Sequence, residues 1–287
     1  MYTTIISAEQ LLALESSQQP YMVFDCSFDL AQPDAGLQSY RAAHIAGAVY
    51  AHLNDNLSAV GEAAESGGRH PLPLMEAFAT WLSSVGFAND MQAVVYDRNG
   101  VNYAGRLWWM LKWAGHEAVA VLDGGLQAWQ AAGGAVNTGI EPHKFSTNFV
   151  PAQALTALVA TETVVKNLQQ PNQTIIDARA APRYKGEIEP LDPVAGHIPG
   201  ALNRPFGQNL GPDGKFKPAS QLREEFEALL AGRDPATVVH QCGSGVSANP
   251  NLIAMEIAGL GHSGLYAGSW SDWCSDPSRP VAKGEEK

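Results

Sequence analysis

His197-Ile198-Pro199-Gly200-Ala201 repeats His44-Ile45-Ala46-Gly47-Ala48 at an offset of 153 residues, 197 minus 44. Working outward from this pair, the same landmarks recur in the same order. Val23-Phe24-Asp25-Cys26 answers to Ile175-Ile176-Asp177-Ala178 at an offset of 152, 177 minus 25. Val94-Val95-Tyr96 answers to Val238-Val239-His240 at 144, 238 minus 94, and Gly115-His116 to Gly261-His262 at 146, 261 minus 115. Gly124 and Trp129 answer to Gly268 and Trp273, again at 144, 268 minus 124. Ordered landmarks at a nearly constant offset mark a duplication. A period this long makes each copy a whole domain rather than a solenoid repeat. The chain of 287 residues is about twice the usual domain length.

Each copy alternates β-rich runs with helical patterns. The runs are Tyr21–Phe24, Ala93–Tyr96 and Ala118–Leu122, then Thr174–Ile176, Thr237–His240 and Ser263–Tyr266. Helical patterns cover Leu74–Val85, Gly105–Trp113, Gln221–Leu230 and Ala248–Ala258. Such alternation predicts parallel α/β domains, whose ligands gather at the carboxyl ends of the strands. The stretch from Asn137 to about Thr156 lacks a period and contains Pro142 and Pro151, so it reads as a linker. The expected division is residues 1–136, a linker at 137–156, and residues 157–287.

Composition narrows the function. Hydrophobic residues make up 45% and charged residues 16%, which suits a globular chain and not a disordered one. Lys plus Arg total 18 against 29 Asp plus Glu, a net charge of −11 that disfavours nucleic acid and anionic membrane surfaces as partners. Three cysteines make no disulfide framework and point to a reducing compartment. The N-terminus lacks a basic region, and Glu9 and Glu15 interrupt its apolar residues, so no secretory signal is expected. Leu107–Leu122, the most apolar region, carries Lys112, His116 and Glu117 and does not read as a membrane span. A cytoplasmic protein is expected. No C-x-x-C, His-x₃-His or carboxylate cluster has metal-ligand spacing, and no cofactor is expected.

The segment richest in chemistry is His240-Gln241-Cys242-Gly243-Ser244-Gly245-Val246-Ser247-Ala248. A strand delivers Cys242 to a turn with two glycines, and a helix is expected to start near Ser247. Glycines let successive N–H groups converge, and the helix N-terminus adds partial positive charge; together they are expected to favour a thiolate. Four readings meet here. Cys242 could be a small buried hydrophobe. Gly243, Gly245 and Ala248 satisfy the G-x-G-x-x-A dinucleotide pattern, but too near the chain end for a full dinucleotide sheet to follow. A cysteine phosphatase loop needs an arginine six residues after the cysteine, and position 248 is Ala. The fourth reading is a sulfur-transfer loop, in which the anion held is a persulfide on the cysteine.

With Asp177-Ala178-Arg179, Arg183-Tyr184, Gly196-His197-Ile198-Pro199-Gly200-Ala201 and Gly268-Ser269-Trp270-Ser271-Asp272-Trp273, the Cys242 loop resembles the two-domain rhodanese group, the thiosulfate and 3-mercaptopyruvate sulfurtransferases. The resemblance spans nearly the whole chain. It implies two tandem rhodanese-like domains, each a parallel sheet flanked by helices, of which the second is catalytic. It implies a persulfide on Cys242, formed from a small anionic donor and passed to cyanide, a thiol or a reduced dithiol protein. A slow persulfide carrier of the same fold is the rival reading. Ser244 would sit beside the reacting atoms, Gly243, Gly245, Val246 and Ser247 would form the binding loop, and Asp177 would support the site. Arg183 would bind the donor's anionic end, as a planar guanidinium suits a carboxylate. His44, with Asp34, would polarise Ser244, although histidines in such turns are more often structural. In the first copy Asp97 or Arg98 stands where the thiol would be.

The loop Cys-Gly-Ser-Gly-Val-Ser resembles the mercaptopyruvate type, whereas the thiosulfate type carries Arg-Lys after the cysteine. One departure stands out. Leu191 occupies the place of an expected second carboxylate-binding arginine, with Arg204 as a possible substitute. Thiosulfate therefore stays open as a donor. Cys26 is expected in the core, Cys274 as an idle or redox thiol, and Trp108, Trp109 and Trp113 as packing. Gly211-Pro212-Asp213-Gly214-Lys215 reads as a turn.

Overall fold

The computed structural model describes residues 1–142 and 145–285; residues 143–144 of the expected linker and 286–287 at the C-terminus lie outside it. The described chain forms two compact units. The first comprises Met1–Ala63, Pro73–Leu155 and Pro212–Phe216; the second comprises Ala64–Leu72, Thr156–Gly211 and Lys217–Lys287. Two short segments thus belong to a unit other than the one their sequence neighbours build. No helix among the described residues is long and apolar enough to cross a membrane.

The first unit contains strands β1 (Ile5–Ile6), β2 (Tyr21–Asp25), β3 (His44–Ile45), β4 (Val49–Tyr50), β5 (Gln92–Tyr96), β6 (Val119–Leu122) and β7 (Val136–Asn137). Its helices are α1 (Ala8–Glu15), α2 (Asp34–Ala42), α3 (Met75–Ser84), α4 (Ala104–Trp113) and α5 (Gly125–Ala131). The sheet runs β1-β6-β5-β2-β4, all parallel, and β3 pairs with β7 as an antiparallel ribbon. The second unit contains β8 (Ala157–Leu158), β9 (Thr174–Asp177), β10 (Leu202–Asn203), β11 (Val238–Gln241) and β12 (Gly264–Leu265). Its helices are α6 (Thr161–Lys166), α7 (Ala181–Tyr184), α8 (Ala219–Leu230), α9 (Asn249–Ile257) and α10 (Ser269–Trp273). Its parallel sheet runs β10-β9-β11-β12-β8, the same order strand for strand. Two parallel α/β copies are therefore present, as the repeat implied.

The physical reasons are local. Parallel strands are covered on both faces and so read as continuous apolar runs; β5, β6, β9 and β11 are buried throughout. Helix α1 opens with a capping box between Ser7 and Gln10. Helix α9 begins at Asn249 rather than near Ser247: residues 242–248 stay as loop, and Pro250 fits the helix's first turn. The paired His-Ile turns are built alike. His44 stacks on Tyr40 at 4.0 Å and its Nδ1–H donates to the Tyr40 carbonyl; His197 stacks on Tyr184 at 3.8 Å and does the same. Parts of the expected linker pack on the first unit: Asn137 completes β7 with Val136, and buried Phe149 lies 5.7 Å from Phe87.

Candidate active site

Strand register fixes which first-copy residue stands in the thiol's place. Asp25 pairs with Tyr96 in one sheet and Asp177 with Gln241 in the other, so the residues that follow, Asp97 and Cys242, are equivalent. Both loops then turn through a glycine of the same backbone, Gly100 at φ 71° and Gly245 at φ 72°. A side chain at 245 would also meet the Ala267 carbonyl oxygen at 2.3 Å.

The first copy shows what this loop is shaped to hold. The Asp97 carboxylate accepts N–H bonds from Asn99 and Val101 at 2.8 and 3.0 Å, and from Tyr103 and Ala104 at 2.7 and 2.9 Å. Burial pushes the Asp97 pKa up, while these four donors pull against it. In the second copy, by the same count, Ser244, Val246 and Ala248 take the places of Asn99, Val101 and Tyr103. Among the described residues their N–H groups carry no hydrogen bond, whereas the Asn249 N–H is spent on Val246. Cys242 is 1% exposed, and the Ser269 hydroxyl accepts from its N–H at 3.1 Å. Asn249 braces the loop from behind, its Nδ2 donating to the carbonyls of Gly245 and Val246.

The side chains around the loop come from three segments. Ser244 is buried and its hydroxyl shares a 2.7 Å hydrogen bond with Nδ1 of His70. Arg69 Nη2 and Arg183 Nη1 lie 3.2 and 3.5 Å from where a Cβ on Gly243 would stand, so a side chain there would crowd the Arg69 guanidinium and touch that of Arg183. Arg183 donates to Glu189 through Nε and Nη2, and its Nη2 also reaches Asp192 at 3.2 Å. Arg69 pairs with the other Asp192 oxygen through Nη1. The Arg69 Nε is buried without a hydrogen-bond partner among the described residues. Burial pushes the Asp192 pKa up against the attraction of Arg69 and Arg183. Burial also opposes ionisation of Glu189, yet the Arg183 hydrogen bond and nearby backbone N–H groups hold its pKa down. Asp177 is wholly buried and clasped by Arg179 at 2.6 Å; Arg179 also lies over the Trp270 ring at 4.7 Å.

Several expectations change here. The imidazole on Ser244 belongs to His70, while His44 bonds Tyr40 and Glu141 in the first unit. The second guanidinium beside the loop belongs to Arg69. Arg204 is tied to Asn209 and Glu225, and Leu191 is 47% exposed. Ser247 sits at intermediate burial in the loop and Val246 is buried. Cys26 is fully buried, and burial with Asp25 and Asp97 raises its pKa well above the ordinary thiol value. Cys274 is 7% exposed and also raised by burial.

Arg69 and His70 reach the site on residues 64–72. The Glu65 N–H donates to the Leu72 carbonyl at 2.8 Å, closing this segment into a loop, and Arg69 N–H donates to Ser271. A Cβ on Gly67 would meet Asp272 Oδ1, and one on Gly68 the Gly268 carbonyl, each at 2.5 Å. The glycine pair is what lets the segment lie flush on residues 268–272. That pair, followed by Arg-His, was the available sequence signal.

Comparison with known proteins identifies the family. The rhodanese-like domain family matches residues 7–132 and 160–276. A Pseudomonas aeruginosa protein named "Probable 3-mercaptopyruvate sulfurtransferase" is 45% identical over 282 residues, 98% of each chain. "Thiosulfate/3-mercaptopyruvate sulfurtransferase 2" of Arabidopsis thaliana is 32% identical, covering 90% of this chain and 81% of its own. The solved 3-mercaptopyruvate sulfurtransferase of Escherichia coli superposes with a TM-score of 0.78 at 30% identity, covering 94% of this chain and 100% of that one. Two matched domains, a cysteine loop in the second copy only, and full-length likeness lead to one conclusion: the chain belongs to the rhodanese family of sulfurtransferases.

Proposed function

We propose that the protein moves a sulfur atom from 3-mercaptopyruvate, with thiosulfate as a weaker donor, to a thiophilic acceptor through a persulfide on Cys242, whose outer atom is the sulfane sulfur. The observation that carries this reading is the Asp97 loop. A carboxylate oxygen stands two bonds beyond Cβ, and so does the outer sulfur of a cysteine persulfide. Asp97 fills its cradle with an anion of the same reach, and three of the four corresponding donors of the second copy, the N–H groups of Ser244, Val246 and Ala248, are free for the sulfur among the described residues. Donors fixed in advance stabilise such a charge without reorganising.

The chemistry follows from the side chains. The Cys242 thiolate attacks the donor's sulfur and an S–S bond forms. The C–S bond of mercaptopyruvate breaks, its electron pair passing into the enolate of pyruvate, and the thiol proton ends on carbon. With Nδ1 protonated, His70 donates to the Ser244 oxygen and leaves the serine proton for the donor's carbonyl, where charge develops. Arg69 and Arg183 hold the carboxylate. Asp177 acts through Arg179, which it orients. An acceptor thiolate, cyanide or a reduced dithiol protein then attacks the outer sulfur and frees Cys242. A cytoplasmic setting, where thiols stay reduced, suits this cycle.

The test is steady-state turnover of both donors with cyanide, together with the mass of the donor-treated protein. One added sulfur on Cys242, a higher kcat/KM for mercaptopyruvate, and loss of turnover in Cys242→Ser are expected. Full activity in Cys242→Ser overturns the reading. Persulfide without sustained turnover indicates a carrier.

A further inference from the structure

Asp192 is the residue this site does not need for the chemistry above, and its position is unusual. It is nearly buried, and its two carboxylate oxygens go to two different guanidiniums, Arg69 Nη1 and Arg183 Nη2. Both guanidiniums lie against Gly243. Arg183 is further held by Glu189, itself 3% exposed and also reached by Arg179. Three arginines, 69, 179 and 183, thus face three carboxylates, 177, 189 and 192. The cluster is neutral, so its bound acids already spend the cationic pull that an anionic donor requires.

We propose that Asp192 is a built-in competitor: its carboxylate occupies the bridging position on Arg69 and Arg183 that the donor's carboxylate takes, so it sets donor affinity and selectivity. This rests on the sulfurtransferase reading. Glu189 does not fit the same role, because its carboxylate is pinned by the Leu191 and Asp192 N–H groups as well as by Arg183. No side-chain hydrogen-bond donor other than the two arginines holds the Asp192 carboxylate among the described residues, and the Arg69 Nε beside it lacks a partner. An entering carboxylate can take over Arg69 while Asp192 turns aside. Removing the Asp192 charge frees one full positive charge for the donor at close range, enough for about a tenfold change in affinity.

The experiment compares wild type with Asp192→Asn and Asp192→Glu. Asp192→Asn is expected to lower the KM for mercaptopyruvate and the inhibition constant of pyruvate about tenfold, with a smaller change in kcat. Asp192→Glu is expected to give no such gain. An unchanged or higher KM in Asp192→Asn overturns the proposal and makes Asp192 a brace that holds the arginines in place. Crystals of the unmodified protein soaked with pyruvate decide the matter even where a variant folds poorly. A ligand carboxylate on Arg69 with Asp192 displaced is expected, and pyruvate bound with the Asp192–Arg69 pair intact refutes it. Persulfide formation on wild-type Cys242 is scored separately. Its absence sinks the sulfurtransferase reading, whereas its presence without the KM gain sinks only the role of Asp192.

Discussion

The hydroxyl of Ser244 meets the ring of His70 at 2.7 Å, and under the proposed mechanism that contact acts on one kind of donor and not the other. Mercaptopyruvate has a carbonyl to polarise and thiosulfate has none. His70→Asn is therefore expected to lower kcat for mercaptopyruvate by about a hundredfold, the lower end of the usual range for a positioned proton donor. Its effect on thiosulfate turnover should be several-fold smaller, and rates with both donors and cyanide check this. Equal losses would make the histidine a packing group. At this scale the sequence was legible where chemistry and local structure coincide. Cys242 follows an apolar strand and precedes two glycines, so its exceptional place could be read from neighbours alone. Arg69 and His70 could not be read that way. Their partners, Asp192, Ser244 and Ser271, lie 123, 174 and 202 residues away in sequence.

The strands that carry the site are buried, and burial has a pH signature. His240, on β11 two residues before the thiol, is fully buried, and its Nε2 lies 3.1 Å from the Met255 sulfur. Burial, with a smaller push from Arg204, lowers its pKa to about 3. The unfolded chain, with a histidine pKa near 6.5, binds the extra proton first as pH falls. The neutral ring's contribution is thus fully present above about pH 6.5 and is lost between there and about 3, by up to roughly 1.4 kcal/mol per pH unit. Denaturant unfolding at pH 7 and pH 4.5 should show the loss, and His240→Leu should flatten it. An equally steep loss in the variant would assign the acid sensitivity to other groups. The longer strands and helices α3, α4, α8 and α9 were visible in sequence as apolar runs and helical patterns, whereas the shorter helices and most two-residue strands have too few residues to show a period.

The molecule as a whole is a duplication whose two copies exchange short segments. The repeat made two domains evident, since landmarks such as the Tyr-His stacks are copied intact. The exchange stayed hidden, because nothing in the periodicity of residues 64–72 says which unit they join. A fragment of residues 157–287 would carry Cys242, Ser244 and Arg183 but neither His70 nor Arg69. Such a fragment is expected to lose at least about a hundredfold in kcat/KM for mercaptopyruvate, with partial recovery when residues 1–156 are co-expressed. Full activity in the fragment alone would show that the 64–72 segment is dispensable. The first copy's loop has a further consequence. Its carboxylate answers four N–H groups, three of them in buried bonds, and each buried one orphaned by a shorter or neutral side chain costs about 1–3 kcal/mol out of a typical total of about 5–15. A thiol at position 97 would reach none of them until it carried a second sulfur. Regaining chemistry in that copy therefore runs through a weakened fold. The duplication works as a ratchet, with one half kept from regaining a thiol by donors that its carboxylate already occupies.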